Sequence, residues 1–104
     1  MRTNAKEEFL HHTAGKQVKC ASVQHGCTYD DDIPKKYTLK VGYTSKDLDY
    51  FLNNLDFCYD NGYGGQELYG TIWYTDGTWS ERGEYDGSEW WIYCEVPEIP
   101  EDLK

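Results

Sequence analysis

Residues 67–96, ELYGTIWYTDGTWSERGEYDGSEWWIYCEV, decide the fold. Apolar and aromatic side chains alternate here with polar ones, the period of a strand with one buried face. Two Asp-Gly pairs, Asp76-Gly77 and Asp86-Gly87, interrupt the alternation. Asp-Gly between alternating segments signals a hairpin, because tight turns demand positive φ. The stretch predicts a three-stranded meander with strands at 67–75, 78–85 and 88–96.

If both turns are two-residue loops, counting fixes the register. Tyr74 then faces Trp79 and Ile72 faces Glu81; in the second hairpin Arg82 faces Trp91 and Glu84 faces Glu89. One face carries Ile72, Tyr74, Trp79, Trp90, Ile92 and Cys94, with Glu81 in their midst. The other carries Tyr69, Trp73, Trp91 and Tyr93, with Thr71, Ser80, Arg82, Glu84 and Glu89. The first face is the more apolar and is expected to pack on a helix. The second is an aromatic surface with a central arginine that can lie over Trp91. It is either covered core or an open contact patch rich in the residue types of binding hot spots. Glu81 conflicts with its surroundings under this register, because a carboxylate among Ile and Trp must find a partner. A bulge that shifts the register is the alternative.

Working outward, residues 45–57 predict the main helix. Thr44 or Ser45 caps it, and Leu48, Phe51, Leu52 and Leu55 recur at i, i+3, i+4 and i+7. Residues 4–13 predict a short helix, with Asn4 as N-cap, Glu7 and Glu8 in the first turn, and Gly15 as a stop. Strands are expected at 17–24 and 37–43, a polar loop at 25–36, a turn-rich loop at 60–65 and an extended tail after Pro97. The fold class is α+β: an antiparallel sheet with a C-terminal meander, packed on one main helix. At 104 residues the chain makes a single domain, 1–104. Its ten Tyr, four Trp and three Phe supply core material that disordered chains lack.

The net charge of -9 is unevenly spread. Residues 1–46 carry eight basic and five acidic side chains; residues 47–104 carry two basic and fourteen acidic ones. The acidic half repels phosphates, so direct nucleic-acid binding is not expected. It attracts a basic protein surface, though acidic charge also serves simple solubility. No apolar run reaches the roughly 20 residues of a membrane helix, and the N-terminus is not a secretory signal. The expectation is a cytoplasmic protein with reduced Cys20, Cys27, Cys58 and Cys94.

Chemistry-bearing motifs are sparse. Cys20, His25 and Cys27 have the spacing C-x4-H-x-C, which is not that of a standard zinc finger or ribbon. His11 and His12 are adjacent and point to different sides of a helix. Asp30, Asp31 and Asp32 read as a solvated loop, and DNGYGG at 60–65 lacks the Lys-Ser/Thr ending of a phosphate loop. Glu81 and Glu84, the carboxylates that would suggest sugar hydrolysis, are expected on opposite faces. No catalytic residue, metal site or cofactor is assigned.

The stretch Asp56–Leu103, with GTIWYTDGTWSERGEYDGSEWW and the terminal PEIPEDL, resembles small accessory proteins encoded by tailed bacteriophages. The resemblance implies a host-takeover or anti-defence factor, such as an inhibitor of a CRISPR or restriction component. It carries over no functional residues, and the basic N-terminal portion departs from a uniformly acidic nucleic-acid mimic. The leading expectation is a non-enzymatic inhibitor that binds a basic-surfaced host protein. Its anchors would be Tyr69, Trp73, Trp91, Tyr93 and Arg82, and its charges Asp60, Asp76, Glu84, Asp86 and Glu89. The alternatives are a protein that sequesters a nucleotide or sugar by stacking, and a small metal-dependent enzyme.

Overall fold

The computed structural model describes residues 2–26, 35–62, 65–85 and 88–103. In chain order the elements are β1 (Arg2–Asn4), α1 (Ala5–Thr13), β2 (Val18–His25), β3 (Lys35–Leu39), α2 (Ser45–Asn54), β4 (Cys58–Asp60), β5 (Leu68–Tyr74), β6 (Trp79–Tyr85) and β7 (Ser88–Cys94). A short 3-10 turn, Glu101–Leu103, replaces the expected extended end of the tail. Five strands form one antiparallel sheet in the order β3-β2-β5-β6-β7. Sequence alternation misses β1 and β4, which pair with each other over three residues each.

The local signals act as the sequence predicts at both helices. Asn4 accepts from the Glu7 N–H at 3.0 Å and caps α1. Thr44 and Asp47 form a reciprocal capping box on α2, at 3.2 and 2.9 Å. Phe51 and Leu55 of the apolar stripe are fully buried, with Leu48 and Leu52 packed at the margin. Phe9 of α1 meets Phe51 edge to face at 5.3 Å, so both helices lie on the same side of the sheet.

The first hairpin differs from the two-residue expectation. Tyr74 donates its N–H to the Thr78 carbonyl at 2.9 Å and accepts from the Gly77 N–H at 3.3 Å, which closes a three-residue loop, Thr75-Asp76-Gly77. Gly77 takes the positive φ (+89°) that ends such a loop. Asp76 stabilises it by accepting from the Thr78 N–H at 2.9 Å. The extra residue shifts the pairing by one: Ile72 faces Ser80, Trp73 faces Trp79 and Thr71 faces Glu81. The second hairpin keeps the predicted register, with Tyr85 opposite Ser88 and Arg82 opposite Trp91. Its turn, Asp86 and Gly87, lies outside the described residues.

A one-residue slip moves every side chain of a strand to the other face. The covered face therefore combines Leu68, Ile72 and Tyr74 of β5 with Ser80 of β6 and Glu89 and Trp91 of β7, all buried. Ala21 and Val23 of β2 and Leu39 of β3 complete it. The expectation that Trp79, Trp90 and Ile92 pack on the main helix is corrected: they lie on the opposite face. β2 presses so close to β5 at Gly70 (φ +153°) that a Cβ there would sit 2.2 Å from the Ser22 carbonyl oxygen.

Candidate interaction surface

Two places in the fold collect chemistry, one on each side of the β6–β7 hairpin. On the helix side, Arg82 is sunk beneath α1 with its side chain 2% exposed. It donates to Glu89 at 2.7 Å, to the Tyr59 hydroxyl at 2.9 Å and to Glu8 at 3.2 Å. Tyr59 in turn donates to Glu8. Glu89, fully buried, also accepts the backbone N–H groups of Glu67 and Leu68 at 2.7 and 2.9 Å. The guanidinium lies 5.0 Å from the Trp91 ring centre and 5.7 Å from that of Tyr59. Burial works against its charge, yet Tyr59, Glu8 and Glu89 together raise its pKa. Burial, then the bond to Glu8, lifts the Tyr59 phenol well above its usual range. One cation thus serves two carboxylates in a site that holds α1, β4, β6 and β7 together.

Beside it, His12 stacks on Tyr93 at 4.0 Å and bonds Ser80 Oγ at 2.8 Å. Ser80 also bonds the Tyr74 hydroxyl at 2.7 Å. A serine–imidazole pair is the start of a nucleophilic site, but Ser80 is completely buried, so no substrate reaches its hydroxyl. Burial first, then Arg82 and His11, lower the His12 pKa.

The other side is the open face. Trp73 is 43% exposed, Trp90 41% and Ile92 40%. Trp73 and Trp79 stand directly opposite each other, with Cys20 and Cys94 completing the row across β2, β5, β6 and β7. Gly83 lets Ile92 lie flat across the sheet: a Cβ there would sit 2.2 Å from Ile92 Cδ1 and 3.3 Å from the Trp90 indole nitrogen. The charged side chain of β6 on this face is Glu81, which accepts from the Trp79 indole N–H at 3.2 Å. The register shift removes its conflict, because it now stands beside solvent.

The residues expected to act together are therefore divided. Trp73 and Tyr69 are on the open face, Trp73 exposed and Tyr69 half-buried. Arg82, Trp91 and Glu89 are internal, and Tyr93, half-exposed, donates its hydroxyl to the His12 carbonyl on the helix side. Glu84 is exposed near the end of β6. Asp76 is exposed in the first turn, 3.2 Å from Lys16, and Asp60 sits in β4 accepting from the Gly62 N–H at 3.1 Å. Asp86 lies outside the described residues. Sequence reasoning placed Trp79, Trp90 and Ile92 in the core; the misplaced carboxylate of Glu81 was the signal that they belong outside.

For the metal alternative, Cys20 pairs with the open-face Trp73, whereas His25 pairs with the buried Leu68 and stacks on Phe57 at 4.3 Å. They face opposite sides of the sheet, and Cys27 and Asp30–Asp32 lie outside the described residues. Among the described residues, no three His, Cys, Asp or Glu side chains gather to hold a metal ion. No described helix is long and apolar enough to cross a membrane. No protein-family model matches the chain, and neither a curated protein nor a solved structure is significantly similar to it.

Proposed function

We propose that this chain is a binding protein without catalytic activity, a phage-type inhibitor that docks on a host defence protein such as a CRISPR or restriction component. The observation that carries the binding reading is the open sheet face, where Trp73, Trp90 and Ile92 stay substantially exposed although one side of the sheet is fully packed. Contiguous aromatic surface of this kind marks interaction sites in soluble proteins. The anti-defence class comes from the resemblance of residues 56–103 to phage accessory proteins.

Charge orients the docking. Exposed Glu81 and Glu84 lie on β6, and Glu95 and Glu98 on the chain just beyond β7, while Lys35 and Lys36 line the far edge at β3. A basic partner surface is drawn to the β6–β7 side of the face.

The test is a tagged pull-down from bacterial lysate with the wild type, Trp73→Ala and Glu81→Lys, each first shown to be folded by circular dichroism. The expected result is one partner, held by the wild type at low salt and lost with both variants. Capture of the same partner by all three would move the docking site off this face. Expression of the chain is expected to raise phage plating on hosts that carry a restriction or CRISPR system. Unchanged plating across such hosts would remove the anti-defence part.

A further inference from the structure

A cavity of about 510 Å³ opens between α1 and the edge strand β7, lined by Thr3, Glu7, Glu8, His11, His12, Trp90 and Trp91. Pockets for small ligands begin at about 300 Å³, so it has room for a long side chain or a small molecule. Its electrostatics are one-sided. Arg82 is shared between Glu8 and Glu89, which leaves that cluster one negative charge in excess. Glu7 is exposed, and among the described residues its carboxylate has no hydrogen-bond or ion-pair partner. Two excess carboxylate charges thus border a cavity walled otherwise by the rings of His11, His12, Trp90 and Trp91 together with Thr3. An anion is repelled here, and a cation gains from both the carboxylates and the indole of Trp90. Trp91 is already faced by Arg82 and His12. No three side chains gather to coordinate a metal among the described residues, so the fitting cation is one bound by stacking and ion pairing.

We propose that this pocket receives a guanidinium group, presented as an arginine side chain. A guanidinium is planar and weakly hydrated: it stacks on an indole and pairs with a carboxylate through two parallel N–H groups, which an ammonium does not. The pocket shares Trp90 with the docking face but not Glu7, so this proposal goes beyond the docking reading and Glu7→Gln separates its failure from that of the docking reading.

The experiment titrates the purified full chain with the peptide acetyl-Gly-Arg-Gly-amide and follows the indole N–H resonances. Parallel titrations use the lysine peptide, the neutral citrulline peptide and agmatine, a free guanidinium. Saturable shifts of the Trp90 resonance with the arginine peptide are expected, weaker with lysine and absent with citrulline. Glu7→Gln is expected to weaken binding about two- to fivefold, as for an exposed ion pair. Trp90→Leu removes the stacking wall and should weaken it by about twofold or more. Binding of agmatine but not of the arginine peptide would overturn the side-chain source and make the site one for a free cation. No saturable shift with any guanidinium, or equal binding of citrulline, would overturn the proposal.

Discussion

Replacing Arg82 with Met tests whether the buried ion cluster holds the fold. Met fills much of the same space but removes the charge and three donated hydrogen bonds. Glu8 is 17% exposed and recovers water, while retaining the Tyr59 hydroxyl. Glu89 has no such outlet: its side chain is fully buried, and only the N–H groups of Glu67 and Leu68 remain. Leaving one partner of a buried pair uncompensated costs about 3–5 kcal/mol. Against a total stability of about 5–15 kcal/mol for a chain of this size, that is a large fraction. At about 4–8 °C per kcal/mol, the Tm should fall by roughly 12–40 °C. Urea unfolding at neutral pH, followed by tryptophan fluorescence and far-ultraviolet circular dichroism, measures it directly. Glu81→Gln, on the solvent side of the same strand, should stay within about 0.5 kcal/mol. A loss below about 1 kcal/mol for Arg82→Met would refute the assignment of the cluster as the fastener of α1 to the sheet.

Three further expectations follow from particular groups. Folding lowers the His12 pKa from 6.5, so the unfolded chain binds that proton more readily; the stability contribution is complete above about 6.5 and lost as pH falls below it. His12→Gln should therefore flatten the fall in stability between about pH 7 and 5, and parallel wild-type and variant profiles by urea titration would contradict this. The Thr78 hydroxyl and N–H, then Lys16, hold Asp76 down to about 2, so its contribution is present above the ordinary 3.8 and lost only as pH falls through about 2. A carbon-13 NMR titration should find that low midpoint, and one near 3.8 would mean that the turn bonds do not persist in solution. Gly70→Ala drives a methyl group into the Ser22 backbone and should abolish the native β2–β5 pairing, whereas Gly83→Ala meets only the flexible ends of Ile92 and Trp90. Native-like dispersion of the amide spectrum in Gly70→Ala would show that the strands can separate at small cost.

The parts of the fold set by local rules were readable. Asn4, Thr44 and the stripe Leu48, Phe51, Leu52 and Leu55 each did in the structure what their spacing implied. The positions of β2 and the meander strands followed from alternation, and the second hairpin from its turn, but the strand expected at 37–43 runs instead over Lys35–Leu39 and stops before Lys40. The first hairpin did not, because Asp-Gly serves two loops equally well. It can be the whole of a two-residue turn, or the second and third positions of a three-residue loop whose Gly alone takes positive φ. Nothing within TDGT decides between them. What decides is distant: Ile72 and Tyr74 have a core to enter only if Ser80, Arg82 and Glu89 are inside with them. That arrangement requires Glu8 and Tyr59, from α1 and β4, to receive the arginine. β4 itself left no alternation to read, being three residues long.

The same correction changes how the surface must be probed. Reversing Glu84 and Glu89 to lysine looks from sequence like a test of an acidic patch, since the two face each other across β6 and β7. In the folded chain Glu89 is the buried acceptor of Arg82 and of two backbone N–H groups. A lysine there would set two cations against each other in the interior and strand both amides. The protein would lose its partner by unfolding, and the loss would be mistaken for electrostatics. Glu81, exposed on the open face, carries the same sign of charge and takes no part in the buried cluster. Reversal at Glu81 gives up one surface bond, from the Trp79 indole N–H, and leaves the buried cluster intact, so it mainly changes the field that an approaching basic surface meets.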